Sequence, residues 1–101
     1  MLIAIVDFHV AAEDRQAAID FLMDEAPAIT AMPGNRGHRV VTNAGTDTHV
    51  GLIHEWETPD AFAAYLASPV FSRSGETLRP MMTAPPTSRR LVAEPHDDSA
   101  A

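Results

Sequence analysis

The chain has 101 residues, 46% of them hydrophobic and 21% charged, with a formal charge of −7 and no cysteine. That composition describes one globular domain with a single modest core, and it excludes a disulfide framework, a thiolate nucleophile and a thiolate metal site. The acidic balance argues against nucleic acid or an anionic membrane surface as partner.

The opening stretch Leu2 to Val10 reads as a strand rich in Ile, Val and Phe. Leu2, Ala4, Val6, Phe8 and Val10 fall on one face, and Ile3, Ile5, Asp7 and His9 on the other. A strand with one solvated face alternates more cleanly, so both faces are expected to be covered. One hundred residues hardly supply two covering layers, and a second copy of the chain is the expected second cover. Asp7 and His9 also break the apolar run too early for a signal peptide or a membrane span, so the expected location is the cytoplasm.

From Ala12 to about Ala31 the period becomes helical, with Ala18, Leu22 and Ile29 on one stripe. Pro27 is expected to kink this helix or to start a separate last turn. Pro33-Gly34-Asn35 is a strong stop. Arg36 to Thr42 reads as a second strand, and Asn43 to Asp47 as the turn of a hairpin.

The stretch from Thr48 to Phe71 organises the rest. Val50, Leu52, His54 and Trp56 alternate with His49, Gly51, Ile53 and Glu55, as in a pleated strand. Thr58 is a good N-cap, Pro59 suits the first helical position and Asp60 complements the helix dipole. Phe62, Tyr65 and Leu66 share the face of that helix, and Pro69 ends it. Phe71, Gly75, Leu78 and Met82 have the spacing of a further short helix. Ser88 to Ala93 is a plausible last strand. Residues 1–94 make the domain, and 95–101 are expected to be a flexible acidic tail. The resulting order gives an α+β class, the ferredoxin-like split βαβ arrangement with a four-stranded antiparallel sheet.

Four features together resemble the antibiotic biosynthesis monooxygenase family: the Pro-Gly after the first helix, the strand ending in HEW, the following TPDAF, and SPVF after the second helix. The resemblance implies a homodimer in which two four-stranded sheets pack into a dimeric α+β barrel. It also implies activities that include cofactor-independent oxygenation of quinols and anthrones, and haem degradation. Trp56 matches the tryptophan that lines the substrate pocket in anthrone oxygenases. Leu52 stands where those enzymes carry an asparagine, and Phe62 where they carry a tyrosine. The haem-degrading pattern finds Val6 in place of its asparagine and Ser74 in place of its axial histidine, so no haem is expected.

Candidate site residues follow from both lines of reasoning. His54 shares the face of Trp56 and is the candidate general base, against the blander role of a histidine bonded to a nearby carbonyl. Trp56 and Tyr65 are assigned with it as catalytic, to hold a ring and a developing oxyanion; either can equally be a packing aromatic. Leu52, Phe62, Arg73 and Leu78 are the expected substrate-binding residues, with Arg73 and Arg79 near the rim as attractors of an acidic group. The histidine spacing does not suit a metal, and no glycine-rich loop opens a helix. No cofactor is expected. Two functions remain: a cofactor-independent monooxygenase of a small electron-rich aromatic, or a non-catalytic homodimer binding a small apolar ligand.

Overall fold

The computed structural model describes residues 1–97. Strand β1 (Leu2–His9) leads through a short 3-10 turn (Ala12–Asp14) into helix α1 (Arg15–Thr30). Strands β2 (Asn35–Val41) and β3 (His49–Trp56) follow, then helices α2 (Pro59–Leu66) and α3 (Pro69–Leu78). A second 3-10 turn (Arg79–Met81) precedes strand β4 (Thr87–Val92). The sheet order is β2-β3-β1-β4 with every pairing antiparallel, the split βαβ topology expected from the element order.

Local chemistry explains most of the boundaries. Asn35 N–H reaches back to Met32 C=O across a tight turn, and Gly34 in that turn has φ +83°. A side chain at Gly34 would be strained and would also meet Ala61 Cβ at 2.6 Å. The Gly34 carbonyl accepts Glu57 N–H, which ties the end of α1 to the end of β3. Thr58 Oγ1 accepts Ala61 N–H at the start of α2, and Ser68 Oγ accepts Phe71 N–H at the start of α3.

Helix α1 runs unbroken through Pro27, so the proline does not start a separate last turn. The proline stands on the exposed side of the last turns, and it forfeits only the one bond its own nitrogen would have made. Met82 also departs from expectation. It lies beyond α3 in extended backbone and bridges to Val10, because Pro80 diverts the chain into the 3-10 turn. The expected tail lies partly outside the described residues; Pro95 to Asp97 take no helix or strand.

The helices pack on one face of the sheet. Phe8, Val10, Val50 and Leu52 meet Ala18, Leu22 and Leu78 in one cluster, while Leu2, Ala4 and Trp56 meet Ile29, Phe62 and Tyr65 in another. Antiparallel register puts His38 beside His54 on this face, and Ser88, Arg90 and Val92 beside Val6, Ala4 and Leu2. Ile3, Ile5, Ile53 and Leu91 occupy the opposite, open face, where none joins either core cluster.

Candidate active site

Between the helices and the sheet lies a cavity of about 200 Å³. Leu52, Phe62 and Leu78 line it as expected, together with Val6, Leu22 and Phe71. His54 and Tyr65 are the buried aromatic polar groups in its wall, and their rings meet edge to face at 5.4 Å. Arg79, Arg90, Ser74 and Ser88 complete the polar lining.

Trp56 is not in that wall. It is fully buried one layer behind, stacked on Tyr65 with ring centroids 5.3 Å apart, and its indole N–H donates to His54 Nδ1 at 2.8 Å. A neutral imidazole that accepts at Nδ1 carries its proton on Nε2. His54 Nε2–H has no acceptor among the described residues. Burial, with the neighbouring His38 and the Arg90 charge adding to it, pushes the His54 pKa down to about 4. The expected general base is therefore a neutral hydrogen-bond donor near pH 7, its second nitrogen already engaged.

Tyr65 is also held as a donor. Burial and then the Glu25 carboxylate raise its phenol to about 12, so the hydroxyl keeps its proton. Glu25 accepts the Ser74 hydroxyl, which turns Ser74 inward from α3. Next to His54, His38 is kept neutral by burial, and both of its ring nitrogens are buried without a hydrogen-bond partner among the described residues.

Arg73 needs correction too. It is exposed on α3 and does not line the cavity. At 100° per residue it lies about 140° round the helix from Leu78, whereas Arg79 follows Leu78 directly. The guanidinium of Arg79 folds back over Gly75, about one turn earlier, where a Cβ would sit 3.7 Å from Arg79 Cζ.

The sequence reading missed Arg90 and Glu25. Arg90 sits over the Phe62 ring, 5.1 Å from its centroid, a cation–π contact. Its alternation with Ser88 and Val92 was available, but β4 has no apolar periodicity to say which face is inward. Glu25 interrupts the Leu22–Ile29 stripe of α1, a charge on a buried face that signals an internal partner.

The cavity thus offers donors: His54 Nε2–H, Tyr65 O–H and two guanidinium groups. Such a set stabilises a developing anion, and it includes no side chain poised to take a proton near pH 7. Among the described residues, no group of three or more His, Asp or Glu side chains is arranged to hold a metal ion. Among the described residues, no helix is long and apolar enough to cross a membrane.

Solved structures share this architecture. A protein of Deinococcus radiodurans matches over 100% of both chains with a TM-score of 0.90 at 18% identity. Rv0793 of Mycobacterium tuberculosis matches 99% of this chain and 98% of its own, with a TM-score of 0.84 and 18% identity. A mutant of SnoaB, a cofactor-independent oxygenase from Streptomyces nogalater, matches 93% of each chain with a TM-score of 0.75 and 22% identity. Identities this low establish the fold alone. No curated protein matches the sequence significantly. The sequence model of the antibiotic biosynthesis monooxygenase family matches residues 1–76, which takes in β1 through most of α3 and, with them, His54, Trp56 and Tyr65. The chain belongs to the antibiotic biosynthesis monooxygenase family.

Proposed function

We propose that this protein is a cofactor-independent monooxygenase of a small, electron-rich aromatic of the quinol or anthrone type, working as a homodimer. The observation that carries the reading is the buried Trp56–His54 hydrogen bond, which fixes a neutral imidazole with its Nε2–H free beside an apolar cavity. Catalysis would then rest on stabilising the substrate anion. A phenol or enol oxygen placed near His54 Nε2–H and Tyr65 O–H loses its proton more readily, because both donors strengthen when the oxygen is charged. Leu52, Phe62 and Leu78 exclude water and hold the ring. The anion passes one electron to O2, and the radical pair recombines at carbon to give a hydroperoxide. For a ring methylene, loss of water from that hydroperoxide leaves a carbonyl, one oxygen atom in the product and one in water.

A second reading has its own support. Leu52 and Phe62 leave the cavity wall apolar where anthrone oxygenases have hydrogen-bonding side chains, which suits a non-catalytic homodimer binding an apolar ligand. Oxygen uptake across a panel of quinols and anthrones separates the two. The oxygenase reading expects uptake matched one to one with product, without haem, flavin or metal in the purified protein. His54→Asn keeps an acceptor for Trp56 while removing the Nε2–H donor, and turnover should fall by about a hundredfold. Tight ligand binding with no uptake selects the binding protein instead.

A further inference from the structure

We infer that the ligand of this cavity is an aromatic acid, anchored by its carboxylate between Arg79 and Arg90 at the cavity mouth. The inference rests on the proposed reading of the cavity as the substrate site, and it adds the substrate's charge.

Acidic side chains outnumber basic ones by 14 to 7, and all seven basic ones are arginine. Among the described residues Arg36 alone of the seven has a carboxylate partner, Glu57, so what distinguishes an arginine here is its place rather than its lack of a partner. Arg79 and Arg90 are the two arginines that line the cavity, and neither has an ion-pair partner among the described residues. Both contacts that fix them are uncharged. Arg90 stacks on Phe62, and Arg79 folds over Gly75. These contacts orient the guanidinium groups while leaving their N–H edges unspent. The Arg90 charge is felt as far in as the His54 ring, whose protonation it disfavours.

Depth orders the donors. His54 and Tyr65 are buried, whereas Arg79 and Arg90 are exposed, so the arginines stand at the solvent end. Leu52, Phe62 and Leu78 lie in the wall as well. A ligand that satisfies all of these has an oxygen deep inside, a flat apolar body and an anionic group at the mouth. Guanidinium forks match a carboxylate with paired N–H bonds. Size narrows the body further. Benzene occupies an apolar cavity of about 150 Å³, so about 200 Å³ suits one or two fused rings, which favours the quinol type over a three-ring anthrone within the proposed reading. The chain's net charge of −7 repels anions at long range, so attraction of an anion to this cavity falls to the two arginines in its wall.

The test is calorimetric titration of the intact protein with 2-naphthoate and with 2-naphthamide, its neutral counterpart, neither of which carries a quinol to oxidise. Naphthoate is expected to bind about tenfold tighter, with the preference shrinking as salt rises from about 20 to about 300 mM. Arg79→Gln and Arg90→Gln should each erode the preference, and the double variant should erase it. Arg73→Gln, outside the cavity, should retain it. Both cavity arginines are exposed, so circular dichroism should report an unchanged fold; the salt series on the parent tests the charge without any substitution. Equal binding of the two probes, no binding of naphthoate, or a preference that survives the double variant overturns the inference. Acid-selective binding without oxygen uptake would sink only the oxygenase reading, and uptake with no acid preference would sink only this one.

Discussion

The two faces of the sheet are built from the same strands and do different work. On the helix side, Leu2, Ala4, Phe8, Val50 and Trp56 are packed to near-complete burial, and the gap left between them and the helices is the donor-lined cavity. On the open side Ile3, Ile5 and Ile53 are only half-buried, and Leu91 is 40% exposed. Polar chemistry differs as well. The helix side holds His54 neutral with its proton directed by Trp56. The open side holds a hydrogen bond from His49 Nε2–H to Asp7 Oδ1 at 2.7 Å, with His49 Nδ1 accepting Asn43 N–H. Gly51 lies between that pair and Val41, and a Cβ there would come within 2.9 Å of Val41 Cγ2. One face is a finished core with a site in it. The other has the apolar character of an interface awaiting its second layer, which is why a second copy belongs to the proposal.

The largest effect should come from breaking the open face. Ile5→Asp places a charge in the middle of it and should convert the proposed dimer into a dissociated or aggregating chain, read by light scattering. A parent protein that is a stable, folded monomer at low micromolar concentration would remove the barrel from the account.

On the helix side, Trp56→Ala deletes a fully buried indole and leaves His54 Nδ1 without its donor. Unfolding free energy should drop by about 3–5 kcal/mol in a denaturant titration. A loss under about 1 kcal/mol would mean that the tryptophan is not the keystone of this cluster.

Acid should also act through the helix side. His54 has a folded pKa of about 4 against 6.5 for the ordinary side chain. Between those values the unfolded chain takes up a proton that the folded chain refuses, so stability falls as pH drops through that window. The loss approaches about 3 kcal/mol once pH reaches the folded value. His54→Asn should flatten this part of the pH–stability curve. An unchanged slope in that variant would assign the acid sensitivity elsewhere. At the small end, Met23→Ala on the 55%-exposed outer side of α1 should shift stability by no more than about 0.5 kcal/mol.

The contrast between faces also shows how far the sequence could be read. Strand alternation in β1 and β3, the cap at Thr58 and the stop at Pro69 are local, so element order and inward residues such as Leu52, Phe62 and Leu78 were legible. The double-sided apolarity of β1 was legible for the same reason. What a side chain does after reaching the inner face was not. Period two puts His54 and Trp56 on one side, but only their rotamers decide that the indole points at Nδ1, which turns an expected base into a donor. Arg73 and Arg79 look alike in sequence, and only the helical phase relative to Leu78 separates them. Arg90 was illegible because β4 is exposed along its whole length and carries no pattern of burial.

The central claim, that the cavity stabilises a substrate anion rather than removing its proton with a protein base, is tested most directly by the pH dependence of oxygen uptake. The measurement is kcat/KM from about pH 5 to about pH 9 with two quinols whose phenol pKa values differ by at least about one unit. The account predicts that each profile rises with the substrate's own ionisation, displaced between the two, and that neither shows a limb from His54, which is neutral throughout that range. A single limb near pH 6 to 7, common to both substrates and lost in His54→Asn, would restore the histidine as general base and contradict it.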